Sequence, residues 1–111
     1  MTENGTVATI TDDNFSDTIE SQEGLTIIDF WAAWCGPCRI VAPIVEQLAD
    51  EYGEQGLSVG KLDVDENPQL AARFGVRSIP SILFFKDGEH VDTVVGAVPK
   101  PHLEAKIQEH L

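Results

Sequence analysis

The segment Leu25-Thr26-Ile27-Ile28-Asp29-Phe30-Trp31-Ala32 constrains this chain more than any other. It is rich in β-branched and aromatic residues and nearly continuous in apolarity, the pattern of a strand buried on both faces. Such a strand needs a layer above it and a layer below it, which points to a sheet with helices packed on both sides. The single anomaly is Asp29, a carboxyl in the middle of the run.

Strand and helix signals alternate along the rest of the chain, with no linker, repeat or low-complexity tract between them. Val7 to Ile10 is a short apolar stretch. Thr11 then reads as an N-cap, with Asp12 and Asp13 in the first turn and Phe15 and Ile19 on one face. After Cys38, the residues Val41, Ile44, Val45, Leu48 and Tyr52 recur at helical spacing until Gly53 and Gly56. Leu57 to Val64 reads as a strand, and Asn67-Pro68 has the chemistry of an N-cap followed by the first helical position. Leu70 and Phe74 share a face of that helix, and Gly75 stops it. Ile79 to Phe85 and Val91 to Val95 are strands joined through Asp87-Gly88, a hairpin signal. Pro99 to Leu111 closes the chain as a helix.

The order is therefore β-α-β-α-β-α-β-β-α. It predicts an α/β fold in which one mixed sheet of about five strands is flanked by four helices. The sheet is expected to be parallel in its first part, through right-handed crossovers, and antiparallel at the hairpin. A length of 111 residues suits a single domain spanning 1–111, large enough to bury a core without disulfide staples.

Charge and cysteine count narrow the function. There are 19 Asp and Glu against 7 Lys and Arg, a formal net charge of -12, which repels a phosphate backbone or an anionic membrane surface. Neither nucleic acid nor a membrane is expected as a partner. The N-terminal Met1-Thr-Glu-Asn-Gly-Thr lacks a basic region and a long apolar stretch, so a cytoplasmic location is expected. In that reducing compartment, two cysteines close together serve catalysis or metal binding rather than a permanent structural bridge.

Those two cysteines lie in Trp34-Cys35-Gly36-Pro37-Cys38, where the buried strand ends and a helix begins. At a helix N-terminus, unpaired backbone N-H groups and the positive end of the macrodipole favour thiolate over thiol, which makes Cys35 the candidate nucleophile. Cys38 is about one helical turn on, within reach of a mixed disulfide formed at Cys35. Gly36 permits close approach of a partner backbone, and Pro37 suits the first turn. Zinc would need two further ligands, and His90, His102 and His110 are distant and unpatterned. Asp29 is costly in a buried strand unless paired or protonated, and burial raises its pKa toward the range useful for proton transfer. Pro43 inside the helical pattern is expected to kink that helix.

The run Asp29 to Arg39, with Pro43 beyond it, resembles the active-site segment of the thioredoxin family, most closely its bacterial members. Lys61-Leu62-Asp63-Val64-Asp65, Val76-Arg77-Ser78-Ile79-Pro80-Ser81, Phe84 to Gly88 and Gly96-Ala97 match further family motifs in order. The resemblance implies a thiol-disulfide oxidoreductase, a protein-disulfide reductase in which Cys35 attacks and Cys38 resolves. It implies a cis Ile79-Pro80 bond beside the dithiol, and a docking surface of Trp34, Gly36, Pro37, Ile79, Pro80, Gly96 and Ala97. Partial core packing is the alternative for Trp34. By the same resemblance Asp29 lies beneath Cys38 with Lys61 as its neighbour, serving proton transfer or, alternatively, a purely structural buried pair. Disulfide-containing client proteins, a thioredoxin reductase as electron donor, a monomeric state and no bound cofactor or metal are implied as well. A disulfide isomerase and a thiol-independent scaffold module are the competing functions; Pro37 departs from the isomerase pattern, and both cysteines are present. Asp63, Asp65 and Glu66 read as a solvated strand end, while Arg39 and Arg77 lessen the acidity around the dithiol.

Overall fold

The computed structural model describes residues 6–111; Met1 to Gly5, which carry the expected absence of a targeting signal, lie outside them. Strand β2 (Leu25–Trp31) occupies the centre of the sheet, as its apolar run requires, with six of its seven residues buried. Around it stand β1 (Val7–Thr9), β3 (Ser58–Asp63), β4 (Ser81–Lys86) and β5 (Glu89–Val95), in the order β1-β3-β2-β4-β5. The period-2 alternation of a strand divides β2 between two cores. Leu25 and Ile27 pack with Val41, Val45 and Leu48 of α1 (Gly36–Tyr52) and with Leu103 and Ile107 of α3 (Lys100–His110). Ile28 and Phe30 face the other way, toward Leu70 of α2 (Pro68–Arg73) and toward Phe15 and Ile19 around a helical turn at Ser16–Glu20. Asp29 shares its parity with Leu25 and Ile27 and so lies beneath α1.

One expectation fails. The antiparallel part of the sheet begins at β4, which runs antiparallel to central β2, and is not confined to the β4-β5 hairpin. The cause is the length of the connection. A six-residue α2 climbs about 9 Å, whereas a crossover must recover the roughly 20 Å covered by a six-residue strand. The chain therefore re-enters the sheet from the end at which β3 left it. That is the end at which β2 delivers the cysteines, so the Ile79-Pro80 loop and the dithiol arrive together.

Local chemistry accounts for most of the boundaries. Thr11 Oγ1 accepts from Asn14 N at 3.0 Å while Asn14 Oδ1 accepts from Thr11 N at 2.8 Å, a reciprocal cap on the first helical turn. Gly75, at φ 66°, ends α2 with bonds from Val76 N to Ala71 O and from Gly75 N to Ala72 O. Asp87 and Gly88 both have positive φ, 51° and 84°, as a tight two-residue hairpin needs. β4 begins at Ser81 rather than at Ile79, because Pro80 has no N-H to give the ladder. The α1 helix runs without interruption through Pro43.

Asn67 does occupy the N-cap position of α2, but its side chain makes no bond to that helix. The bonds come from Asp12, whose carboxylate accepts from Gln69 N at 3.2 Å and from Leu70 N at 2.9 Å. Asn67 instead accepts from Asp12 N at 2.9 Å and donates to Asp63 O at 3.1 Å. The cap is thus supplied across 57 and 58 residues of chain.

Candidate functional site

Cys35 is the N-cap of α1, in an extended conformation, and its Sγ accepts from Cys38 N at 3.3 Å. Pro37 sits in the first turn, where its missing N-H is not needed. Cys35 and Cys38 are joined as a disulfide, their Cα atoms 5.4 Å apart, and each residue is only 3% exposed. Orphan N-H groups of the first turn thus point at Cys35, the arrangement that stabilises negative charge on sulfur. The peptide bond Ile79-Pro80 is cis, and Ile79 O lies 3.8 Å from Cys35 Sγ. A disulfide sulfur carries no proton, so this is a contact between the Cys35 sulfur and the loop.

The loop is tied to the end of β5 by a bond from Gly96 N to Pro80 O at 2.8 Å, which brings Gly96 and Ala97 to the same end of the sheet. Trp34 is 69% exposed, and Gly36, Pro37 and Ala97 are exposed as well. Ile79 and Gly96 are half-buried and Pro80 is buried. The indole of Trp34 is held from outside the expected set, with Nε1 donating to Asp65 Oδ2 at 2.9 Å. Asp63 Oδ1 in turn accepts from Asp65 N at 2.9 Å. Sequence reasoning places these aspartates only in solvent. Parallel pairing of Trp31 with Asp63 is the signal that could have joined them to Trp34.

Beneath the dithiol, a cavity of about 190 Å³ is lined by Asp29, Cys38, Trp31, Val45, Glu46 and Lys61 among others. Asp29 is 4% exposed, and its Oδ1 has no hydrogen-bond partner among the described residues; Trp31 Nε1 is likewise unpartnered. Burial pushes the Asp29 carboxyl up from 3.8 to about 7, and the positive charge of Lys61 pulls it part of the way back. Lys61 stands opposite Asp29 in the parallel register of β2 and β3. Asp29, Lys61 and Cys38 are thus brought around one cavity. Among the described residues the one group of three or more with metal-ligand spacing is Asp92, Glu109 and His110, on β5 and α3.

Two sulfurs that can be joined or separate carry two electrons between them, which defines the class of thiol-disulfide oxidoreductases. Residues 6–109 match the thioredoxin family model. A thioredoxin of Staphylococcus saprophyticus is 51% identical over 95% of this chain and 98% of its own. Thioredoxin 1 of Synechococcus elongatus is 48% identical over 94% and 96%. Among solved structures, Malassezia sympodialis thioredoxin superposes with a TM-score of 0.86 at 38% identity, covering 99% of this chain and 95% of that one. A mutant thioredoxin from Halobacterium salinarum gives 0.88 at 34%, with the same coverage. The chain belongs to the thioredoxin family, and it is a thiol-disulfide oxidoreductase that reduces protein disulfides. Membership carries with it, in general terms, disulfide-containing clients and a thioredoxin reductase. No helix among the described residues is long and apolar enough to cross a membrane.

Proposed function

We propose that Cys35 is the attacking sulfur, Cys38 the resolving sulfur, and Asp29 the group that exchanges a proton with Cys38. In the reduced protein the Cys35 thiolate attacks one sulfur of a client disulfide. The client S-S bond breaks, its second sulfur leaves as a thiolate that takes a proton from water, and a mixed disulfide to Cys35 forms. Cys38 then gives its proton toward Asp29, attacks Cys35, and releases the first client sulfur. The client has gained two electrons, and the chain holds the Cys35-Cys38 disulfide.

The observation that carries this assignment is the asymmetry of the two sulfurs. Cys35 is at the helix N-cap against the Ile79 carbonyl, while Cys38 borders the cavity that contains Asp29. A carboxyl pushed up to about 7 holds its proton half the time near neutrality, which suits both directions of the exchange. The cavity is several times the roughly 30 Å³ that one water occupies in the liquid, so a water can relay the proton. Lys61 tunes Asp29. The surface formed by exposed Trp34, Gly36, Pro37 and Ala97, with half-buried Ile79 and Gly96 and buried Pro80 beneath, receives the client. The chain works as one domain and one monomer, in the cytoplasm, re-reduced by a thioredoxin reductase and engaging neither nucleic acid nor membrane.

Reduction of a disulfide protein by dithiothreitol, followed by turbidity, tests the pair. Cys35→Ser and Cys38→Ser each abolish catalysis, and only Cys38→Ser accumulates mixed disulfide with the client. Accumulation by Cys35→Ser instead would reverse the roles, and equal activity in all three proteins would sink the reading. Asp29→Asn is expected to slow resolution by roughly 10-fold at pH 7, below the about 100-fold or more usual for general acid-base groups because water in the cavity can take the proton in its place. An unchanged rate from pH 6 to 9 would remove Asp29 from the mechanism.

A further inference from the structure

On the α2 side of the Ile79-Pro80 loop, a groove of about 170 Å³ opens between that loop, the end of α2, and strands β4 and β5. Phe74, Leu83 and Val95 give it apolar walls, Ser78 and Thr93 give it hydroxyls, and Arg77 is its only charged group. It exists because β5 is the edge of the sheet and the six-residue α2 does not reach over it; Val95 is left 57% exposed. The groove runs on from the docking surface, since Ser78 precedes the cis bond and Gly96, next to Val95, is bonded to Pro80.

Arg77 is distinguished by its lack of a partner. Arg73 pairs with Glu20, Lys100 with Glu51, and Lys106 with Asp92. Lys86 donates to the His110 carbonyl and Arg39 to that of Ala33, while Lys61 acts on Asp29. Of the seven Lys and Arg residues, only Lys61 and Arg77 make no hydrogen bond or ion pair among the described residues, and Lys61 stands opposite the Asp29 carboxyl, so Arg77 is the one without an acidic or carbonyl neighbour assigned to it. On a chain of net charge -12 it marks a place where an anion is attracted. A guanidinium matches a carboxylate through two parallel hydrogen bonds, and the adjoining apolar walls match an aliphatic or aromatic side chain.

We propose that this groove is an exosite for the client polypeptide. It takes an Asp or Glu side chain with an apolar neighbour, a few residues to one side of the client cysteine attacked by Cys35. Clients are thereby ranked by sequence next to their disulfide as well as by disulfide access. The inference rests on Cys35 as the nucleophile and on docking at the Ile79-Pro80 loop, because those fix where the client cysteine lies. An extended chain laid across that loop in one direction passes over the groove on one side of its cysteine only. The preference is therefore positional, unlike a general attraction of acidic clients.

The test uses peptides whose single cysteine is capped as a disulfide with 2-mercaptoethanol. Glu-Leu is placed about three residues before the cysteine, or about three residues after it, with Gln-Leu as the reference at each position; stopped flow gives the rate constant with the reduced protein. One Glu position is expected to react roughly 3- to 10-fold faster than its Gln counterpart at low salt, and the other less than about 2-fold. The advantage shrinks at about 0.5 M salt, because the groove is open to solvent. Arg77→Glu turns the favoured Glu into the slower peptide, and Thr93→Glu lowers the ratio, each read against Gln within the same variant. Equal advantage at both positions in the wild type makes it a long-range field and overturns the exosite. An unchanged ratio in Arg77→Glu overturns it as well. If the Gln peptides react and no Glu advantage exists, the exosite alone fails. If Gln peptides form no mixed disulfide with Cys38→Ser, the nucleophile assignment fails and the exosite falls with it.

Discussion

Two carboxylates project from the same face of the sheet into opposite surroundings. Asp29, in the middle of β2, is buried with Oδ1 unbonded among the described residues, and its carboxyl is pushed up to about 7. Asp92, on edge strand β5, accepts from Lys106 Nζ and His110 Nε2 at 3.0 Å each and from Thr93 N at 2.8 Å. The bonds from His110, Lys106 and Thr93 outweigh its partial burial and hold it down near 2. A carboxylate only accepts, so His110 Nε2 carries the proton that meets it. The difference separates two uses of acid residues in one small chain: Asp92 fastens β5 to α3, and Asp29 opposes folding when charged. A carboxyl held in a buried strand at a cost to folding is what the proposed proton exchange with Cys38 would require.

The largest effect expected from this contrast is at Asp29. The unfolded chain releases that proton near 3.8 and the folded chain near 7, so between the two values the folded state binds more protons and stability falls as pH rises. Asp29→Asn removes the dependence. Its stability relative to wild type should grow from near zero at pH 4 to at most on the order of 4 kcal/mol at pH 8 in denaturant titrations. A difference that stays flat with pH would make Asp29 an ordinary carboxyl and dissolve the contrast with Asp92.

Sequence periodicity reveals most of the fold and only part of the site, for a physical reason. Leu25 to Ala32, the α1 stripe and the Asp87-Gly88 turn are local patterns, each fixed by neighbours a few residues away. Cys35 and Cys38 are legible in the same way, because the helix whose N-terminus Cys35 caps begins beside it in sequence. The Asp65 bond to Trp34, the Arg77 groove and the antiparallel entry of β4 depend on which strand ends meet, information that no window of one element carries. Pairing of Asp29 with Lys61 is equally non-local, and it comes within reach only through the family resemblance.

Asp12 tests that distinction at intermediate size. In sequence it reads as a first-turn acid of its own helix, yet it closes the N-terminus of α2 with two backbone bonds. Asp12→Ala should cost about 1 to 2 kcal/mol, and a thermal melt should fall by roughly 4 to 8 °C per kcal/mol. A loss under about 0.3 kcal/mol would show that Asn67 or solvent serves the helix end equally well.

The smallest effect belongs to Asp92 and has the opposite sign with pH. Its folded value near 2 lies below the usual 3.8, so its contribution is fully present above pH 4 and is lost as pH falls through 2. The side chain is still 20% exposed, so solvent screens the pair with Lys106 and the contribution is about 1 kcal/mol. Asp92→Asn should therefore be less stable than wild type at pH 5 and match it near pH 2, giving a flatter acid limb in urea titrations. Acid limbs that run parallel would mean that Lys106 and His110 merely neighbour Asp92. The two carboxylates would then differ in burial alone, and the unbonded state of Asp29 would lose its meaning as a mark of function.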